Sequence, residues 1–164
     1  MMIIVSDTTP LRYLIETELI GILPALFGQV FVPPVVLAEL QHEKTPLKIK
    51  DWVANVPNWM IVQQPQAASL VSQKKIGPGE RAAFALALEI NADAVLVDDR
   101  GAIVEARRHN IQTFSTFALL EQAAALNLLD LPAAVAAMQK TSFRVPPEDD
   151  LEAMLQRDQL RKQQ

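Results

Sequence analysis

Acidic side chains stand in this chain where the sequence turns from apolar to polar: Asp7 after Ile3-Ile4-Val5-Ser6, and Asp98-Asp99 after Ala94-Val95-Leu96-Val97. Glu39, inside Val35-Val36-Leu37-Ala38-Glu39-Leu40, and Glu80, after Gly77-Pro78-Gly79, add two acids on helix-like segments. Carboxylates that converge without positive neighbours repel one another and raise their pKa values, so a divalent cation is what makes such a group stable. Hard oxygen donors select Mg²⁺ or Mn²⁺ over zinc. Each acid also has a plainer reading. Asp7 before Thr8-Thr9-Pro10 is a favoured helix N-cap, Glu80 gains from the positive end of its own helix, Glu39 is a solvated helix residue, and Asp98-Asp99 makes a turn with Arg100. Singly none is specific; their joint placement at strand and helix ends favours a shared site.

The elements that must position these acids follow from hydrophobic spacing. Ile3 to Val5, Val30 to Val32 and Ala94 to Val97 are short continuous apolar runs of the buried-strand type, and Trp59 to Val62 and Ile111 to Ser115 add weaker ones. Helical spacing appears at Leu11, Leu14 and Ile15, again at Leu19 to Leu26, from Pro34 to Leu40 with proline at a first helical position, and from Leu47 to Asn55. Further helices are predicted from Glu80 to about Ile90, up to Arg108, from Thr116 to Leu126 and from Leu131 to Gln139. Strands alternating with helices imply parallel pairing, helices on both sheet faces and an α/β class. In such sheets ligands sit at the carboxyl ends of the strands, where Asp7, Asp98 and Asp99 fall.

At 164 residues and 18.1 kDa the chain fits one domain with a real core. Residues 1–145 read as that domain, and 146–164 as a charged tail, either a peripheral helix carrying Leu151, Met154 and Leu155 or a fraying end. The apolar fraction of 50% against 21% charged is a globular balance. Without cysteine there is no disulfide scaffold, thiolate zinc site or cysteine nucleophile. No apolar run approaches the roughly 20 residues that span a bilayer, and the N-terminus lacks a basic n-region, which predicts a soluble, cytoplasmic protein without membrane association. A net charge of −4 argues against holding nucleic acid by bulk electrostatics and leaves room for a local basic patch. The alanine-rich helix and Phe84 look like core, as do Trp52 and Trp59. His42 and His109 lack metal-ligand spacing and are expected on the surface.

Four segments in order carry a resemblance: Ile4-Val5-Ser6-Asp7-Thr8-Thr9-Pro10-Leu11, Val32-Pro-Pro-Val-Val-Leu-Ala-Glu39-Leu40, Gly77-Pro-Gly-Glu80-Arg81-Ala-Ala-Phe84, and Val95-Leu-Val-Asp98-Asp99-Arg100. Over about residues 3 to 122 the chain resembles the PIN-domain family, in particular its small stand-alone prokaryotic branch similar to VapC-type toxin ribonucleases. The resemblance implies a three-layer α/β/α sandwich with a central parallel sheet and a Mg²⁺- or Mn²⁺-dependent nuclease site. By that likeness Asp7, Glu39, Glu80 and Asp98 are catalytic and hold the metal, with Asp99 as a further ligand and the choice within the pair left open. Glu80 stands where most PIN toxins have Asp, and Gly101-Ala102 where they often continue with Asp-Phe. Ser6 and Thr8 would orient Asp7 or bound water as supporting groups. Phosphate contacts are assigned to Arg12, Lys74, Lys75, Arg81 and Arg100. Partners implied are an RNA substrate and an antitoxin protein, and PIN toxins are commonly dimers. A homodimer is accordingly expected through Phe117, Leu120, Ala124 and Leu128 or through the tail helix.

Other classes fit less well. A haloacid-dehalogenase-like phosphoaspartyl enzyme needs Asp-x-Asp after the first strand, where this chain has Asp7-Thr8-Thr9. A response-regulator receiver needs its acidic pair early, and here the pair is late. Neither GxGxxG nor a P-loop is present. The remaining alternative is a non-catalytic PIN-like module that binds protein or RNA.

Overall fold

The computed structural model describes residues 2–66 and 76–164. Its elements follow the chain as β1 (Ile4–Ser6), α1 (Thr8–Glu16), α2 (Ile22–Phe27), β2 (Val30–Val32), α3 (Pro34–Leu40), α4 (Leu47–Ala54) and β3 (Met60–Val62). Then come α5 (Pro78–Glu89), β4 (Ala94–Leu96), α6 (Arg100–Arg108), β5 (Thr113–Phe114), α7 (Thr116–Ala125), α8 (Leu131–Gln139) and α9 (Glu148–Lys162). The strands form one five-stranded sheet in the order β3-β2-β1-β4-β5, and every pairing is parallel.

Strand alternation divides the core in two, because successive side chains of a strand point to opposite faces. Ile4, Val30, Val32, Ala94 and Leu96 enter one core with residues of α1, α2, α4 and α7, whereas Val5, Val95 and Val97 enter the other with Phe84 and Leu86 of α5 and with Ala102 and Ala106 of α6. This is the three-layer α/β/α sandwich with a parallel sheet that the pattern of runs predicts. Small residues on α5 and α6 let those helices lie close to the sheet. Phe84 is fully buried as expected, while Trp52 and Trp59 sit half-buried at the core's edge with ring centroids 6.1 Å apart.

Four helices stop in the same way. Glu18, Asn91, Asn110 and Asn127 adopt positive φ one residue past the C-caps of α1, α5, α6 and α7. The next N–H then reaches back to the helix, as from Leu19 to Leu14, Ala92 to Ala87, Ile111 to Ala106 and Leu128 to Ala123. This is the Schellman closure, and asparagine tolerates the left-handed conformation better than most side chains.

The tail is a docked helix. Leu151 and Met154 of α9 are buried in the same core as Phe117, Leu120 and Ala124 of α7. Arg157 of α9 grips Glu121 of α7 through two hydrogen bonds of 2.8 and 3.0 Å, and Lys162 lies 3.5 Å from Asp130 at the start of α8. The apolar surface expected to make a dimer is therefore largely consumed within one chain. Helical spacing reveals that a face is apolar and not which partner covers it; here the covering helix is the chain's own tail.

Candidate functional site

Parallel register brings the first and last acids to neighbouring strand ends. Ser6 pairs with Leu96 across β1 and β4, and the Asp7 N–H donates to the Leu96 carbonyl at 2.9 Å. Asp7 thus leaves the sheet beside Val97, with Asp98 one residue further. The connection after β1 runs to β2 on one side while β4 lies on the other, so the crevice opens where open α/β sheets bind ligands.

Asp7 is 5% exposed and occupies the N-cap position of α1, yet its side chain makes no capping bond. Burial pushes its pKa from 3.8 to about 7; the Thr8 N–H opposes the shift, and the charges of Glu80, Glu39 and Asp98 add to it. Glu80 titrates above the usual range as well, first through burial and then through Asp99 and Glu39, with the Gly77 N–H pulling the other way. Its Oε1 accepts from Gly77 at 3.4 Å, while Oε2 is buried without a hydrogen-bond partner. Burial also raises Asp98, against two bonds from Thr116: the N–H to Oδ1 at 2.8 Å and the hydroxyl to Oδ2 at 2.6 Å. Asp99 is exposed and caps α6 by accepting from Ala102 N–H at 2.9 Å.

Glu39 is held from two sides. Its Oε2 accepts from the Thr8 hydroxyl and its Oε1 from the Gly79 N–H at 3.0 Å. The approach depends on glycine: a Cβ on Gly79 would lie 2.6 Å from Glu39 Oε2. Glu39 and Glu80 thereby both meet the first turn of α5, whose free N–H groups favour negative charge.

These acids act on one another, and among the described residues no Lys, Arg or His forms an ion pair with any of them. Equally, no three Asp, Glu, His or Cys side chains among the described residues stand together as a closed coordination shell. Several oxygens are instead turned toward protein donors.

The supporting groups differ in detail from expectation. Ser6, fully buried, donates its hydroxyl to the main-chain carbonyl of Asp7 at 2.9 Å, because a short side chain reaches the adjoining peptide before the carboxylate. Thr8 serves Glu39, since α1 and α3 pack against each other. Of the basic residues, Arg12 places its guanidinium 5.3 Å from the centroid of the Tyr13 ring, with Nε buried and unpartnered. Arg81 is half-buried in the first turn of α5, Arg100 is exposed at the start of α6, and Lys74 and Lys75 lie outside the described residues. His42 is exposed as expected, whereas His109 is half-buried, 3.1 Å from the buried Glu105.

Thr116 is the site residue that spacing did not disclose. Replacing it with valine keeps the shape, buries a methyl against Asp98 and removes the hydroxyl donor. Loss of a hydrogen bond to a carboxylate is expected to lower unfolding free energy by about 1–3 kcal/mol in urea titrations. An unchanged midpoint would show that Asp98 does not depend on it.

A parallel sheet between helix layers, with acids at the carboxyl ends of its strands and no ion pair to them among the described residues, is an α/β architecture. A family model described as a PIN domain matches residues 3–158, and the chain belongs to the PIN-domain family, whose members are generally nucleases acting on nucleic acid. No curated protein and no solved structure matches significantly. No helix among the described residues is long and apolar enough to cross a membrane.

Proposed function

We propose that the protein is a Mg²⁺- or Mn²⁺-dependent endoribonuclease whose metal is held by Asp7, Glu39, Glu80 and Asp98, with Asp99 at the rim. The observation that carries this reading is Asp7: a carboxylate 5% exposed, beside three other acids, with its pKa near 7 and no ion pair among the described residues. The donor set suits a hard divalent ion, being all oxygen, and the orphaned Glu80 Oε2 supplies a lone pair with no other use. A bound Mg²⁺ or Mn²⁺ would supply the Lewis acid for hydrolysis of a phosphodiester.

The chain's own groups account for the rest. Asp7 exchanges a proton near neutral pH. Thr8 and Gly79 fix Glu39, and Thr116 fixes Asp98, so that two of the four acids are oriented before any ligand arrives. The biological role that fits a small ribonuclease of this kind is the toxin of a toxin–antitoxin pair in the cytoplasm, with an inhibitory protein as partner. A homodimer would use apolar side chains still exposed, among them Leu126, Leu128 and Leu160 near the predicted face.

A second reading has its own observation. Because no coordination shell is closed among the described residues, a non-catalytic RNA- or protein-binding module is the competitor. Single-turnover cleavage of RNA separates the two. With Mn²⁺ the wild type should cut, and EDTA or Asp7→Asn should reduce the rate at least about a thousandfold, the scale on which losing a transition-state-stabilising group acts. Cleavage that survives both treatments would refute the assignment, and absence of cleavage by the wild type would favour the binding module.

A further inference from the structure

Beside the acids a cleft of about 710 Å³ opens, with Asp98 and Asp99 in its lining. It is lined by the segment 142–147 that leads into α9, and by Tyr13 of α1, Arg100 of α6 and Phe117 of α7. The segment is fastened. Tyr13 Oη and Ser142 Oγ are 2.9 Å apart, and Phe143 packs edge-on against Tyr13 at 5.0 Å and tilted against Phe117 at 5.5 Å. Beyond it, α9 is clamped to α7 by Arg157 and Glu121.

Two arginines line this cleft, Arg100 and Arg144, both exposed and neither in an ion pair among the described residues. By contrast Arg108, Arg157 and Arg161 pair with Glu105, Glu121 and Asp158. Asp98, Asp99 and Asp150 line the same cleft, so Arg100 and Arg144 are the side chains on which an anionic ligand would be held there. Phe143, Val145 and Pro146 add apolar side chains to the same lining. A nucleotide has both halves: a phosphate for arginine and a planar base for an aromatic or apolar wall.

We propose that this cleft seats the RNA nucleotide adjoining the scissile phosphate, its phosphate on Arg100 and Arg144 and its base against the Phe143–Val145 wall. The word adjoining rests on the nuclease reading; the binding of RNA in the cleft does not.

The test is fluorescence anisotropy of short labelled single-stranded RNAs on the full chain in EDTA, for wild type, Arg144→Ala, Arg144→Lys and Arg107→Ala. Arg107, exposed on the last turn of α6, is the control. Arg144→Ala should weaken binding about tenfold whatever the sequence and make the slope of log K against log salt shallower by about 0.7, the value of one single-strand phosphate contact. Arg144→Lys should recover most of the slope, and Arg107→Ala should change neither. A merely structural arginine would leave the salt slope alone. Wild-type affinity and slope in Arg144→Ala overturn the proposal, including the case in which the cleft serves a protein segment, and so does a wild type that binds no RNA. Cleavage of the same RNA in Mn²⁺ is read separately. If Arg144→Ala still cuts with wild-type affinity, the subsite fails and the nuclease stands; if RNA binds through Arg144 and is never cut, the subsite stands and the nuclease fails.

Discussion

Asp7→Asn should melt about 5–10 °C higher than the wild type at pH 8 in the absence of divalent cations, and should no longer respond to Mn²⁺. The folded protein holds the Asp7 proton far more tightly than the unfolded chain does, with a pKa near 7 against 3.8. Stability from this group is fully present below the unfolded value, falls as pH rises from about 4 toward 7, and levels off above, because there the folded state must bury an unpaired charge. The whole span corresponds to at most about 4 kcal/mol, and for a chain of this size each kcal/mol moves the melting temperature by about 2–4 °C. Asparagine keeps the shape without the charge, so the decline with pH should flatten in the variant. Mn²⁺ should raise the wild-type melting temperature by mass action and leave the variant unmoved. A variant that melts lower, or that keeps the wild-type pH slope, would show that Asp7 is not the strained acid described here.

Gly79→Ala should cut RNA cleavage about a hundredfold while leaving the fold nearly as stable. The new methyl would arrive 2.6 Å from Glu39 Oε2, and the atom that gives way is the end of a flexible side chain rather than backbone. Glu39 then swings off the Gly79 N–H and out of the cluster, and misplacement of a catalytic group by about 1 Å is enough for a loss of that size. Alanine is also the better helix former by about 1 kcal/mol, which offsets the lost hydrogen bond, so melting should shift by only a few degrees. Gly21→Ala is the control, because a Cβ there meets nothing within 4 Å. Full activity in Gly79→Ala would remove Glu39 from the site.

Much of the frame was legible because it depends on local apolar pattern. Ala94 to Val97 reads as a buried strand and β4 covers Ala94–Leu96, and Leu131 to Gln139 follows an Asp130 that caps it through Ala133. The parallel rule then placed Asp7 and Asp98 together. Boundaries failed where glycine misled: Gly77-Pro78-Gly79 reads as loop, yet α5 begins at Pro78, with proline at the first turn and Gly79 admitted for the sake of Glu39. The helix ends near Ile90, Arg108 and Leu126 were placed by spacing, but how the chain closes there was not, since the closure lies in the left-handed backbone of Asn91, Asn110 and Asn127, and of Glu18 after α1. The Thr116 bonds to Asp98 depend on β4 lying next to β5, and no local spacing encodes a contact between residues so far apart in the chain. Arg144 was missed for the same reason: it reaches the cleft only because α9 docks on α7 and carries the preceding segment back across the strand ends.

Calorimetric titration of Mn²⁺ into the full chain near pH 7, repeated in buffers of different ionisation enthalpy, tests the central claim most directly. A site built on Asp7 must shed its proton to bind a cation, so the wild type should bind Mn²⁺ with release of roughly half a proton per ion at that pH, and Asp7→Asn should show neither the binding nor the release. No Mn²⁺ binding by the wild type, or the same binding with the same proton release in Asp7→Asn, would contradict it.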